Sequence, residues 1–298
     1  MIPRTLFLSA AFLAPLLWLP NAERRAPSPS RSPNPAAAPN GMVKIPGGTF
    51  DFGTDTSEIA GLVAKYHLSS ADLISPEAPR YKVTMPAFYI DRHEITVAEY
   101  IMFVVRDTTW LPKGDSGQIS NGDYLKPWLA GAVREATDTL PVTYITWFSA
   151  RKYCKSQSKR LPTEVEWEYA ARGGAAGDVY PWGDADADTS RANFAVSAID
   201  HPVKVEHYAP NAYGLYDMAG NVWELTADQW SDPRAMPGKK PVDVEGWSKD
   251  RQQAAHQRVV IKGGSYSSGP ALLRARARYS HPAGGAEPNV GFRCAKDA

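Results

Sequence analysis

The sequence predicts one loop-rich domain built from short strands and short helices, and three observations carry that expectation. Pro 25 and Gly 23 in 298 residues interrupt the chain too often for long regular elements. Periodic runs are brief and of both kinds, period 2 and period 3.6. Nine Trp and fourteen Tyr supply large side chains that can hold loops against a core. With 43% hydrophobic residues the chain can fill a full core in one large domain or two small ones. A net charge of +1 gives no electrostatic basis for a nucleic-acid partner. Mean hydropathy of −0.37 excludes a polytopic membrane protein.

Residues 1–25 read as an export signal or an N-terminal membrane anchor. Arg4 precedes an apolar run from Thr5 to Pro20, closed by Glu23, Arg24 and Arg25. The run falls short of the roughly 20 residues that span a bilayer and suits a signal core. Ala22 could sit at a cleavage point, but Pro20 stands where a small residue is wanted, so an uncleaved anchor stays open. Either way the expected location is outside the cytoplasm, periplasmic or extracellular. Residues 26–40, with Pro27, Pro29, Pro33, Pro35 and Pro39, read as an extended tether. The folded domain is expected over 41–298.

Within it, Val43 and Ile45 followed by Gly47-Gly48-Thr49-Phe50 predict a strand and a turn, and Lys82–Met85 and Phe88–Ile90 predict further strands. Residues 54–80 read as an elaborated loop with one short helix. Thr96-Val97-Ala98-Glu99 is a capping box and opens a helix to about Val105. A second helix is expected over 147–157, with Ala150, Tyr153 and Cys154 on one face. Thr163-Glu164-Val165-Glu166 opens a third, which Gly173-Gly174 stops. Beyond it, Tyr180-Pro181-Trp182-Gly183 reads as a tight aromatic turn and 231–257 as a polar surface insertion. The two cysteines, Cys154 and Cys294, favour a disulfide in an exported chain.

Three segments occur in order: Arg160-Leu161-Pro162-Thr163-Glu164 through Gly173-Gly174, Tyr213-Gly214-Leu215-Tyr216-Asp217-Met218-Ala219-Gly220-Asn221-Val222-Trp223-Glu224, and Lys262-Gly263-Gly264-Ser265-Tyr266 with Gly291-Phe292-Arg293-Cys294. Together they resemble the formylglycine-generating enzymes, or sulfatase-modifying factors, from about Met42 to Cys294. The resemblance implies an irregular α+β fold related to C-type lectins, and a Cys154–Cys294 disulfide. Active members oxidise a cysteine through a C-x4-C pair that binds Cu(I), a soft metal matched to thiolate. Aligned on the Gly-Gly-Ser motif, those two positions hold Ser268 and Leu273, so copper is not expected here. Trp223 and Ser265 match the family's oxygen pocket. They are read either as a retained pocket or as fold residues that pack the core and bond local backbone.

The resemblance also implies structural calcium at Asp217, Gly220, Val222 and Glu224, a hard-oxygen set suited to that ion. The competing reading pairs Glu224 with an arginine. A second calcium site would use Asn193 and Phe194, with Asp200 as acidic partner. The six histidines lack metal-binding spacing. His281 stands out because it borders the segment that flanks the family's substrate cleft. Arg274, Arg276 and Arg278 alternate as on one strand face and offer a fork for carboxylate or phosphate, with Ser268 beside them; an internal arginine ladder is the alternative. Two functions are expected from these residues. One is a copper-free domain that binds a peptide, protein or small-molecule ligand, or serves maturation of a partner. The other is a divergent oxidase acting on a peptide or siderophore-like substrate. The missing cysteine pair argues against a sulfatase-activating oxidase.

Overall fold

A computed structural model describes residues 39–112, 120–129, 139–174, 179–231 and 251–298. The expected signal or anchor, most of the tether, and the bulk of the 231–257 insertion lie outside the described residues.

Three small sheets form the frame. In the first, β1 (Met42–Ile45), β4 (Phe88–Asp91) and β9 (Ala295–Asp297) pair antiparallel in the order β1-β4-β9, with Met42 opposite Asp91 and Ile90 opposite Ala295. In the second, β2 (Gly48–Phe52) pairs with β3 (Tyr81–Met85). The third has the order β7-β6-β5-β8, from β5 (Trp223–Gln229), β6 (Arg258–Lys262), β7 (Arg278–Pro282) and β8 (Val290–Gly291), and only its β5–β8 pair is parallel.

The helices begin where their capping residues stand. Helix α1 (Ile59–Lys65) is the short helix of the elaborated loop, entered through a 3-10 turn at Thr56–Glu58. At α2 (Val97–Arg106) the Thr96 hydroxyl accepts from the Glu99 amide at 3.2 Å, and the Glu99 carboxylate accepts from the Thr96 amide at 2.8 Å. After the short α3 (Lys126–Leu129) comes α4 (Trp147–Ser156), which starts with a box of Thr146 and Ser149. The sequence reading did not use that box, because Ser149 replaces the usual Glu or Gln. Helix α5 (Glu164–Ala171) uses Thr163 and Glu166, and stops where Gly173 and Gly174 take φ of +63° and +92°. The last helix, α6 (Arg251–His256), leads into β6. Tyr180 and Gly183 exchange backbone hydrogen bonds across the aromatic turn, and the Tyr180 and Trp182 rings stack at 4.9 Å.

The largest apolar cluster joins α2, α4, β5 and β6 through Tyr100, Phe103, Tyr153, Leu225, Ile261 and Phe292. Cys154 and Cys294 lie inside it with no exposed surface, bonded to each other. Strand β5 alternates strictly: Trp223, Leu225 and Ala227 join this cluster, while Glu224, Thr226 and Asp228 face the opposite way. That polar face is not solvated. Helix α5 lies over it, and the Trp167 indole donates to Glu224 at 2.8 Å while the Glu164 amide donates to Asp228 at 2.5 Å.

Candidate functional site

The turn after β6 carries the first set of expected residues. Gly263 and Gly264 take φ of +92° and +75°, and a side chain on Gly263 would meet the Trp167 ring at 3.0 Å. The chain then folds over three hydroxyls. Ser265 Oγ lies 3.1 Å from Ser267 Oγ and 3.2 Å from Ser268 Oγ, and the Ser265 amide donates to Ser268 Oγ at 3.0 Å. Asn289 Nδ2 donates to Ser265 and Ser267 at 3.3 and 3.2 Å. Among the described residues these hydroxyls bond one another, local backbone and Asn289, so no imidazole or carboxylate activates a nucleophile there. Trp223 lies next to this network: its amide donates to the Asn289 carbonyl at 2.8 Å. Its ring is 5% exposed and stacks under Tyr279, at 5.9 Å and 25°. Leu273 is fully buried in an apolar cluster with Tyr180, Phe194 and Ala219.

A second group surrounds Glu224. Arg293 is fully buried and every guanidinium nitrogen is engaged. Nε and Nη2 donate to the two Glu224 oxygens at 2.7 and 2.8 Å, Nη1 to the Asp91 and Arg92 carbonyls, and Nη2 also to the Tyr216 carbonyl. The arginine alternative for Glu224 is therefore the observed one. Two further buried carboxyls stand in the same field. Asp217 accepts from the Glu206 amide through Oδ2 at 2.7 Å, and Glu94 accepts from Asn221 Nδ2 through Oε1 at 3.0 Å. Asp217 Oδ1 and Glu94 Oε2 have no hydrogen-bond partner. Burial first, then the neighbouring carboxylates, pushes Glu94 well up, and burial raises Asp217 to about 6 against the pull of the Glu206 amide and Arg293.

The loop of the second expected metal site packs on this group. A side chain at Gly220 would strike the Asn193 carbonyl at 2.3 Å, and that carbonyl accepts from the Asn221 amide at 2.8 Å, so only glycine fits at 220. Asn193 Oδ1 is buried without a partner, while the Phe194 carbonyl already accepts from the Ser197 amide. Asp200 has a fully exposed side chain that lies 3.1 Å from His201 Nδ1. Among the described residues no three His, Cys, Asp or Glu side chains gather as a metal cluster. The calcium fit is therefore partial. Asp217 Oδ1 and Asn193 Oδ1 are open oxygens of the right kind, and Glu224 does not serve, because its carboxylate is held by Arg293 and Trp167.

The expected arginine fork also needs correction. Arg274 and Arg278 are not on one strand face with Arg276, because a 3-10 turn at Pro270–Leu273 precedes Arg274 and β7 begins only at Arg278. Arg274 is buried and grips Glu77 through both terminal nitrogens at 2.9 and 2.5 Å. Arg278 grips Glu164 through Nε and Nη2 at 2.7 and 2.9 Å, and lies over the Trp230 ring at 4.5 Å. Neither is free to hold a ligand. His281 is 7% exposed, opposite Val259 on β6, and burial lowers its imidazole to about 4. It is a neutral interior ring rather than part of a cleft wall. Ser268, also expected at the cleft, sits instead in the hydroxyl network.

Arg274 and Arg276, but not Arg278, line an open space. A cleft of about 350 Å³ runs between α1 and the Arg274–Arg276 segment, floored by Leu62 and Val179 and walled by Glu58, Arg80, Arg276 and Asp184. Glu58 Oε1 meets Arg80 Nη2 at 2.5 Å, and Glu58 Oε2 meets Arg276 Nη1 at 3.2 Å. Sequence reasoning missed Glu58 and Arg80; no local pattern joins them to a residue some two hundred positions away.

Residues 27–298 match the model of the sulfatase-modifying factor enzyme 1-like domain. The chain belongs to the formylglycine-generating enzyme family. It is 31% identical to the mouse formylglycine-generating enzyme over 86% of its own length and 75% of that protein. It is 32% identical to the bovine inactive C-alpha-formylglycine-generating enzyme 2, over 86% and 88% of the two chains. Among solved structures PvdO from Pseudomonas aeruginosa superposes with a TM-score of 0.62 at 24% identity, covering 86% of this chain and 94% of that one. The fold is thus the loop-rich α+β arrangement of the formylglycine-generating enzymes, related to C-type lectins. Both cysteines are in the disulfide, and the two positions expected to hold the copper thiolates carry a hydrogen-bonded hydroxyl and a core leucine.

Proposed function

We propose that this chain is an exported, copper-independent member of the family, whose domain binds a peptide, protein or small-molecule ligand, or assists the maturation of a partner. One observation supports this above others: Leu273, which stands where a copper thiolate is expected, is a packing residue with no exposed surface. A hydrocarbon there offers no ligand, and Ser268 offers only a neutral, hard hydroxyl. The apolar N-terminal run and the buried disulfide favour an oxidising compartment outside the cytoplasm, with the run either removed or kept as an anchor. The divergent-oxidase reading draws on Trp223 and Ser265, but the hydrogen bonds of Ser265 go to its own turn and to Asn289.

The same reading retains one structural calcium ion, held by Asp217 with the Gly220 and Val222 carbonyls and without Glu224. Three buried carboxyls face one guanidinium in this group, and a divalent cation would balance the excess negative charge. The functional proposal is tested by anaerobic Cu(I) titration of the full chain, followed by oxygen uptake with a Cys-x-Pro-x-Arg peptide. No tight copper binding and no uptake are expected. Peptide-dependent uptake that requires copper would overturn the reading.

A further inference from the structure

Helix α2 carries two apolar stripes, and the frame uses one of them. Val97, Tyr100, Phe103 and Val104 are buried in the largest apolar cluster. Ala98, Ile101, Met102 and Val105 follow the i, i+3, i+4, i+7 rule on the other side. Met102 is 51% and Val105 61% exposed, while Ala98 and Ile101 are half-buried. A helix that is apolar all round belongs inside a protein or against lipid, yet this one lies at the surface.

The acids near the outer stripe are already engaged. The Glu99 carboxylate turns back to the Thr96 amide and hydroxyl at 2.8 and 2.9 Å, and Asp107 accepts from the Thr109 amide and hydroxyl. The bases point outward: Arg106 ends the helix exposed, and α4 presents exposed Lys152 and Lys155. The Thr109 hydroxyl chiefly, with help from Lys152, holds the Asp107 carboxyl below its usual range, which places Lys152 at the same end of α2 as Arg106. Trp110 stands just beyond that end, half-buried, with its ring 6.2 Å from Phe103. An apolar stripe with a tryptophan and several bases at one end is the make-up of a helix that rests in a lipid interface.

The tether joins the domain close to this helix. Residues 26–40, which follow the apolar N-terminal run, reach at most about 50 Å when extended. They lead into β1, where the Gly41 carbonyl accepts from the Arg92 amide at 2.9 Å and Met42 stands opposite Asp91. No more than about 14 Å of chain separates Arg92 from the α2 cap at Thr96. A chain held in a bilayer by its N-terminal run therefore keeps α2 within reach of that bilayer, and a short tether makes even a weak contact effective.

We propose that the outer stripe of α2 lies on an anionic phospholipid bilayer, the one in which the N-terminal run is anchored. Ile101, Met102 and Val105 enter the boundary between headgroups and acyl chains, and Arg106, Lys152 and Lys155 meet the lipid phosphates. The contact fixes which face of the domain looks away from the membrane. The inference rests on the exported reading above, in the form that keeps the run as an anchor.

The test is lipid quenching of a fluorophore on the full chain, reconstituted in vesicles of phosphatidylcholine and phosphatidylglycerol in equal parts. Both natural cysteines are bonded to each other, so Val105→Cys offers a single thiol for the label. Val196→Cys is the control, a valine 63% exposed on the turn at Ala195–Ser197. With nitroxide-bearing lipids the label at 105 should lose roughly half of its emission or more, and the label at 196 should keep it. Met102→Glu should restore the emission at 105, and vesicles of phosphatidylcholine alone should weaken the quenching; melting curves report whether each variant is folded. Equal quenching at the two positions, or none at 105, would overturn the contact. A buried label at 105 without lipid quenching, with a doubled mass in sedimentation, would give the face to a second copy of the chain and overturn the membrane. A mature chain from cells that lacks the apolar run, seen by mass, would strike the anchored reading and the proposal with it. Absent quenching in a chain that keeps the run strikes the α2 contact alone.

Discussion

Asp228 offers a sharp test of how the buried charge network is arranged. It is 6% exposed, on the face of β5 that α5 covers, and accepts from the Glu164 amide at the start of that helix. Two effects compete at its carboxyl. The helix N-terminus and the amide bond favour the anion. Burial and the neighbouring Glu164 carboxylate oppose it and win, raising the group from 3.8 to about 7. The sign follows directly. Between about pH 4 and pH 7 the folded protein holds a proton that the unfolded chain has released, so stability falls as pH rises through that window. Roughly three pKa units at about 1.4 kcal/mol each make this about 4 kcal/mol. Asp228→Asn keeps an oxygen for the Glu164 amide and removes the titration. Denaturant unfolding at pH 4 should find variant and parent within about 1 kcal/mol of each other. At pH 8 the variant should be the more stable by several kcal/mol, about 4 at most. Parallel stability-against-pH curves for the two proteins would show that Asp228 titrates as an ordinary carboxyl, and the reasoning would fail.

Three other outcomes are expected. Replacing both Cys154 and Cys294 by Ala opens a crosslink across a sequence separation of 140, worth about 5 kcal/mol of unfolded-chain entropy; a melting temperature within a few degrees of the parent's would contradict it. Glu77→Gln strands the buried Arg274 and should cost about 3–5 kcal/mol, whereas Glu77→Leu combined with Arg274→Met should recover most of the loss; equal costs in equilibrium unfolding would deny that the pair acts as a unit. If Asp217 holds calcium, a chelator should lower the melting temperature of the parent and leave Asp217→Asn unchanged; a parent curve that ignores the chelator removes the metal.

Much of the frame was legible because its signals are local. Thr96 with Glu99 and Thr163 with Glu166 mark helix starts within four residues, and Gly173-Gly174 marks a stop. No strand is expected over 223–229 from the sequence, although the residues of β5 alternate there and leave one polar face. The structure buries that face because α5 brings Trp167 and the Glu164 amide to meet it, a partnership between segments some sixty residues apart. The arginines failed for a related reason. Their spacing is regular, yet their roles depend on which acid each one reaches, and Glu77, Glu58 and Glu164 come from two distant parts of the chain. Arg293 shows the same limit, since the choice between a metal and a guanidinium at Glu224 turns on a contact across 69 positions.

The order β1-β4-β9 has a consequence for how the domain is made. Strand β4 meets β1 soon after both are synthesised, but its other edge stays bare until Ala295–Asp297 arrives, some two hundred residues later. Cys294 arrives with it, so the covalent closure and the last strand pairing are joined in time as well as in space. Long-range closures of this kind are slow and leave an open strand edge in the interim. The four residues Cys294–Asp297 therefore close the first sheet and the crosslink together, and the domain's frame is incomplete until they are in place.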